Sequence, residues 1–216
     1  NNSILLKMLK PKVIATTNAS NSFSRAIVAL GNKQSTETFL IQHGYPNFDD
    51  FENHLLHKKV LVWGKSGIND WVRFGVRPEN IIITGSPKFE RDDTISTDTL
   101  HSQKQPIKVT YFPSIVGGSS MSEEISVRAL DMVLKTFKDK KDVRLTIKTK
   151  IQDKFTIINK FKNFNNINII KERDAVDVIN ESDIVIVTTS NVGLEACVIG
   201  KPLIVLMFSG IRERLF

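Results

Sequence analysis

Short apolar runs recur along the chain, each closing on a polar or glycine-containing turn before a stretch with helical spacing. In the first part, "KVIATT" (12–17), "TFLIQHG" (38–44), "KVLVWG" (59–64) and "NIIITGSP" (80–87) read as strands. Between them, "NSFSRAIVALGNK" reads as a helix with Asn or Ser caps at its start and Gly31 near its end. "KSGINDWVRFGV" reads as a shorter helix. Residues 91–106, "RDDTISTDTLHSQKQP", are polar and aperiodic, which places a domain boundary there. The alternation then resumes. Strands are expected at 107–114, 143–150, 167–171 and 183–189, with a last one in "PLIVL". Helices are expected at 121–138, at 151–163, near "AVDVINES" and after Ser190. The first of these carries apolar residues at Ile125, Ala129, Met132, Val133 and Phe137. The unbroken β-branched run Ile184–Thr188 suits a strand covered on both faces of a parallel sheet.

This order predicts an α/β protein of two Rossmann-like parallel-sheet domains facing a cleft: residues 1–90, a linker at 91–106, and residues 107–216. Both ends read as cut, because the sequence lacks an initiator Met and stops just after a strand. With 41% apolar residues the chain can fill two modest cores, which excludes a disordered tail. The net charge of +7, from 30 basic and 23 acidic residues, tilts the protein toward anionic partners. Nucleic acid is not expected among them, since no basic face carries interleaved aromatics. Cys197 is the single cysteine, so an intrachain disulfide cannot form and a reducing compartment is favoured. No run reaches the length of a membrane span and the start lacks a signal-peptide core, so the expectation is a soluble cytoplasmic protein.

In open parallel sheets, ligands sit beyond the carboxyl ends of the strands, so the residues just after each strand are the candidates. After 107–114 come Ser114, Gly117 and Gly118, then a helix. Such a loop can admit a phosphate, or can be an ordinary flexible connection. "IKTK" puts Lys148 and Lys150 on one face of a strand end, available to a phosphate or simply to solvent. In "TTSNVGLEA", Thr189 and Ser190 can cap a helix beginning near Asn191, so that hydroxyls and amides point together. Gly193 would leave room for a ligand. Glu195 would accept hydrogen bonds from vicinal hydroxyls of a ribose or sugar, or serve only as an acid near a helix N-terminus. His43, at a strand's carboxyl end, can move a proton near neutral pH or be bonded structurally to a loop carbonyl. His54, His57 and His101 are assigned no role. No cluster has metal-ligand spacing, and "RDD" at 91–93 lies in the linker, so no metal or other cofactor is expected.

The stretch "SDIVIVTTSNVGLEACVIGKPLIVL" resembles the nucleotide-sugar-binding segment of GT-B glycosyltransferases, in which an acid on this helix holds the donor's ribose or sugar. Ser190, Gly193 and Glu195 match by position, and Gly200, Lys201 and Pro202 match the turn into the last strand. "FLIQHG" followed by "VLVWGKSGINDWVRFGVRPENIIITGSPKFE" is similar to part of the N-terminal domain of bacterial surface-polysaccharide enzymes. Capsule glycosyltransferases and CDP-glycerol glycerophosphotransferases are in that group. The resemblance implies a GT-B-like fold and a nucleotide-activated sugar or CDP-glycerol as co-substrate. It also implies a glycan or lipid-linked acceptor and peripheral contact with the inner face of the membrane. His43 of "QHG" would be the catalytic base, with Gln42, Gly44, Gly85 and Ser86 lining the acceptor side of the cleft. Two alternatives stay open: a non-hydrolysing UDP-sugar 2-epimerase, and a noncatalytic nucleotide-sugar-binding domain of a larger polymerising protein. Epimerases of that group usually show a glycine pair and adjacent glutamates where this chain has "SNVGLEA", with one acid.

Overall fold

The computed structural model describes residues 2–44, 55–87, 106–114, 123–149, 159, 163–188 and 190–208. The chain divides into two compact units, Asn1–Glu90 and Arg91–Phe216. The helix expected over 151–163 and most of the 91–106 segment lie outside the described residues.

The first unit contains α1 (Asn2–Leu9), β1 (Val13–Thr16), α2 (Ser22–Lys33), β2 (Glu37–Ile41), β3 (Lys59–Val62), α3 (Ile68–Arg73) and β4 (Ile81–Ile83). Its strands form a parallel sheet in the order β1-β2-β3-β4. Helix α1 was not expected from the sequence. It is short, buries little besides Leu6, and stops where Lys10 turns left-handed (φ 44°) ahead of Pro11. Leu6 packs with Ile14 and Val28, which fastens α1 to β1 and α2. Asn21 caps α2 as expected, its side chain accepting the Ser24 amide at 2.7 Å. Gly31 permits a close approach: a Cβ there would collide with Ile14 of β1. Further along the same face of the sheet, Leu40, Val60 and Val62 pack against Trp71 of α3 and Val76.

The second unit contains β5 (Ile107–Phe112), α4 (Glu123–Phe137), β6 (Val143–Lys148), β7 (Ile167–Ile170), α5 (Ala175–Asn180), β8 (Ile184–Val187), α6 (Val192–Ile199) and β9 (Leu203–Val205). Its five strands are parallel in the order β7-β6-β5-β8-β9. One face meets α4, whose Ala129, Leu130, Val133 and Leu134 pack on Val109, Tyr111, Leu145 and Ile147. The opposite face meets α5 and α6 through Phe112, Val185, Val187, Val178, Ile179 and Ala196. Strand β8 is therefore buried on both sides, as its β-branched run demands.

Buried polar groups stitch the first unit together. Thr38 Oγ1 donates to Asn32 Oδ1 (2.9 Å) and accepts the Lys58 amide (3.0 Å), while Asn32 Nδ2 donates to the Leu56 carbonyl (2.6 Å). His57, only 8% exposed, places Nε2 at 2.8 Å from Thr16 Oγ1. The Thr16 hydroxyl donates to the Asn18 carbonyl, so Nε2 carries the proton given to Thr16. The other ring nitrogen, Nδ1, is buried and meets no hydrogen-bond partner among the described residues. Burial lowers the pKa of His57 from 6.5 to about 4. Between those values the unfolded chain binds the proton and the folded one does not. The stabilisation from a neutral His57 is thus complete above about pH 6.5 and is lost as pH falls toward 4. Thermal melts across this window should show His57→Gln losing less stability on acidification than the parent, by roughly 2 kcal/mol.

Candidate functional site

Strand β5 begins the second unit and lies between β6 and β8, so the connections leave it in opposite directions. The carboxyl ends of β5 and β8 flank this switch point, where an open α/β sheet has its natural crevice. Ser114 follows β5 and Thr188 follows β8, and their hydroxyls are hydrogen-bonded to each other. Beneath them Tyr111 is fully buried, in register with Ile147 on one side and Ile186 on the other. Burial pushes the Tyr111 phenol well above its ordinary range, a shift opposed in part by the nearby Thr188 hydroxyl. The end of the crevice is therefore built of neutral hydroxyls. Thr188 was missed as a site residue in the sequence. It ends a β-branched run and so read as strand, although the paired threonines at that end were a usable signal.

Helix α6 starts differently from expectation. Its N-cap is Asn191, in helical conformation (φ −59°, ψ −18°) and without a side-chain capping bond. The capping oxygen comes instead from Ser190, whose Oγ accepts the Val192 amide at 3.3 Å. The Gly193 and Leu194 amides donate to the Ser190 and Asn191 carbonyls, both at 3.0 Å. This tight first turn engages amides that an extended N-cap would leave open to an anion. The hydroxyls, more than the amides, face this end of the sheet as its polar inventory. Thr189 lies outside the described residues, as do Gly117, Gly118 and Lys150.

Gly193 serves a purpose other than ligand clearance. A Cβ at this position would stand 3.2 Å from Val187 Cγ2 and 3.5 Å from Leu203 Cδ2, so the missing side chain lets α6 sit close on β8 and β9. Glu195, on the first turn of α6, is only 6% exposed. A carboxylate there lies at the positive end of the helix dipole. Gly200, left-handed at φ 82°, closes the helix ahead of Lys201-Pro202.

Lys148 is drawn into the fold. Its Nζ donates to the Thr149 carbonyl at 3.1 Å and the Lys171 carbonyl at 2.9 Å, tying together the ends of β6 and β7. In the first unit, Gln42 does similar work. Its Nε2 donates to the Gly44 carbonyl (3.0 Å) and its Oε1 accepts the Trp63 amide (2.9 Å), clamping the exits of β2 and β3. His43 sits between two buried neighbours, Gln42 and Gly44, and is itself exposed. Gly85 turns left-handed (φ 76°) after β4, and the neighbouring Ser86 is half-buried. Among the described residues, no three His, Cys, Asp or Glu side chains are grouped to hold a metal ion. No helix among them is long and apolar enough to cross a membrane.

No family model matches the sequence, and no curated protein matches it. Solved structures do. A UDP-GlcNAc 2-epimerase from Neisseria meningitidis bound to UDP-GlcNAc matches 96% of this chain and 62% of its own, with a TM-score of 0.67 and 13% identity. The glycotransferase of kitacinnamycin matches 94% of this chain and 60% of its own, with a TM-score of 0.62 and 11% identity. This chain has a GT-B-type fold. Anabaena Alr3699/HepE in complex with UDP-glucose shares it over 98% of this chain and 64% of its own, at a TM-score of 0.56 and 12% identity. The chain spans somewhat under two thirds of the length of these GT-B-type structures.

The role of Gly193 can be checked directly. Gly193→Val adds methyl groups where a single Cβ would already meet Val187, and should destabilise the protein by about 1–3 kcal/mol in a denaturant titration. Unchanged stability would return this glycine to a ligand-facing role.

Proposed function

We propose that the protein is a glycosyltransferase, or a related glycerophosphate transferase, that uses a nucleotide-activated donor to build a bacterial surface polysaccharide. The observation that carries this reading is the Ser114–Thr188 hydrogen bond at the switch-point ends of β5 and β8, followed after β8 by the Ser190 cap and the buried Glu195 on the first turn of α6. Hydroxyls suit hydrogen bonding to a diphosphate and a sugar, and an inward carboxylate suits a pair of vicinal hydroxyls. The fold supports the reading as well, since structures sharing it hold UDP-GlcNAc and UDP-glucose.

In this reading the second unit holds the donor, with Glu195 receiving ribose or sugar hydroxyls and Ser114 and Ser190 facing the phosphates. The acceptor oxygen forms a bond to the transferred group as that group's bond to the nucleotide phosphate oxygen breaks. The electron pair leaves on the nucleotide, and His43 takes the acceptor's proton. Oriented hydroxyl donors help most where charge grows on the leaving phosphate. No metal or other cofactor enters the proposed reaction. A glycan or lipid-linked acceptor fits the positive balance of the chain, which would favour the inner face of an anionic membrane.

The epimerase reading has the fold in its favour, because a UDP-GlcNAc 2-epimerase shares it. Helix α6 offers one carboxylate in its first turn, Glu195, where the epimerase pattern has adjacent acids. A panel of labelled UDP- and CDP-activated donors separates the readings: polymer extension supports transfer, interconversion of the free nucleotide sugar supports epimerisation, and binding without turnover supports a passive domain. Glu195→Ala should weaken donor binding about tenfold or more by calorimetry while the melting temperature holds. His43→Ala should leave donor binding intact and lower turnover about a hundredfold or more. Parent-like binding and turnover in both variants would overturn the assignment of these residues.

A further inference from the structure

Parallel strands covered by helices are normally apolar on both faces, and half of the second sheet departs from this. Strand β6 sends Leu145 and Ile147 into the core beneath α4, so Arg144 and Thr146 lie on the opposite face. The register aligns neighbours of the same kind: Lys108 pairs with Arg144, and Thr110, Thr146 and Asn168 form one polar row across β5, β6 and β7. These rows floor a recess of about 220 Å³, walled on the α5 side by Arg173, Glu181 and Ser182.

The floor is arranged for a polar occupant. Ser182 Oγ donates to the Val178 carbonyl (2.6 Å), so the Thr110 hydroxyl donates to Ser182 (2.6 Å), a buried polar pair at the β5 end of the floor. Thr146 and Asn168 add a hydroxyl and an amide along the same row. The charge is lopsided. Arg173 engages Glu181 through both nitrogens (2.8 and 2.6 Å), while Lys108 and Arg144 contribute two further cations to the lining. The Asp183 carboxylate, outside the lining, accepts the Lys108 amide at 2.8 Å. Arg144 also borders a wider recess at the amino ends of the strands, where Lys138, Lys140 and Lys141 stand with Asp139. The positive strip thus continues beyond the first recess.

We propose that this recess on the α5-side face of β5, β6 and β7 binds an anionic saccharide, its hydroxyls on the Thr110–Thr146–Asn168 row and its carboxylate or phosphate against Lys108 and Arg144. Hydroxyl and amide groups in a row match a sugar's edge, and surplus cations match an acid group. The strip through Arg144 toward Lys140 and Lys141 suits a chain of such sugars better than a single one. The site lies on the face of the sheet and is independent of nucleotide binding at its carboxyl edge.

Calorimetric titration of the full chain at low salt tests this with trigalacturonate as the carboxylate probe, glucose 6-phosphate as the phosphate probe and maltotriose as the uncharged control. The acidic probes should bind saturably, maltotriose at least tenfold more weakly, and excess UDP should not displace them. Arg144→Ser should weaken the acidic probes at least tenfold, and Thr146→Val severalfold, with UDP binding and melting temperature unchanged. Preference between the two acidic probes identifies which acid group the site takes. Absence of binding, displacement by UDP, equal binding of inorganic phosphate and glucose 6-phosphate, or indifference to Arg144→Ser would each overturn the proposal. Binding of UDP itself, read in a separate titration, reports on the nucleotide site.

Discussion

A parallel pair of strands cannot be closed by a tight turn; the chain must cross back over a face of the sheet before pairing again. All strand ends of one polarity then collect along one edge, and the connections run over the faces of the sheet. Both units obey this constraint, with all seven strand pairs among the described residues parallel. It explains why residues as distant in sequence as Ser114 and Thr188 share a hydrogen bond. It also explains why the close seat of α6 matters. Gly193 lets the helix press onto Val187 and Leu203, and Glu195 two residues on is buried.

Much of this was legible because strand and helix periods leave different traces. The run Ile184–Val187 suited a strand buried on both sides, and the four-strand and five-strand sheets follow the apolar runs closely. Helix α1 was not legible, since one buried leucine in eight residues gives no period to detect. The start of α6 was half legible. Ser190 does cap, but from one position further out, because Asn191 adopts helical angles that no propensity rule fixes. Gly193 shows the same limit: a glycine after a strand signals close approach, while only the fold says that the approaching partner is the sheet itself.

Polar residues were harder to read than apolar ones, because their burial depends on distant partners. His57 carried no assigned role in the sequence, yet it is buried against Thr16 and kept neutral. Gln42 looked like a lining residue beside His43. Its side chain instead bridges Gly44 and Trp63, which makes it a brace for the loop that presents the histidine. Lys148 looked available to a phosphate, and two backbone carbonyls hold its ammonium. In each case a side chain that chemistry could use is engaged by main-chain or hydroxyl partners that no local pattern announces.

The two halves of the second sheet put the same rule to opposite uses. Around β8 the rule of double burial holds, and Val185 and Val187 pack against Ala196 and Val178. Across β6 it fails on one side only, with Leu145 and Ile147 buried and Arg144 half a pleat away on the surface. A lone charged residue in a strand would mean little. Three adjacent strands whose register aligns Thr110, Thr146 and Asn168 are a different matter: Thr110 is buried against Ser182, while Thr146 and Asn168 beside it forgo apolar contacts that the fold could have made there. A sheet face that gives up that burial in a connected row has a hydrated or ligand-filled surface as its stable state.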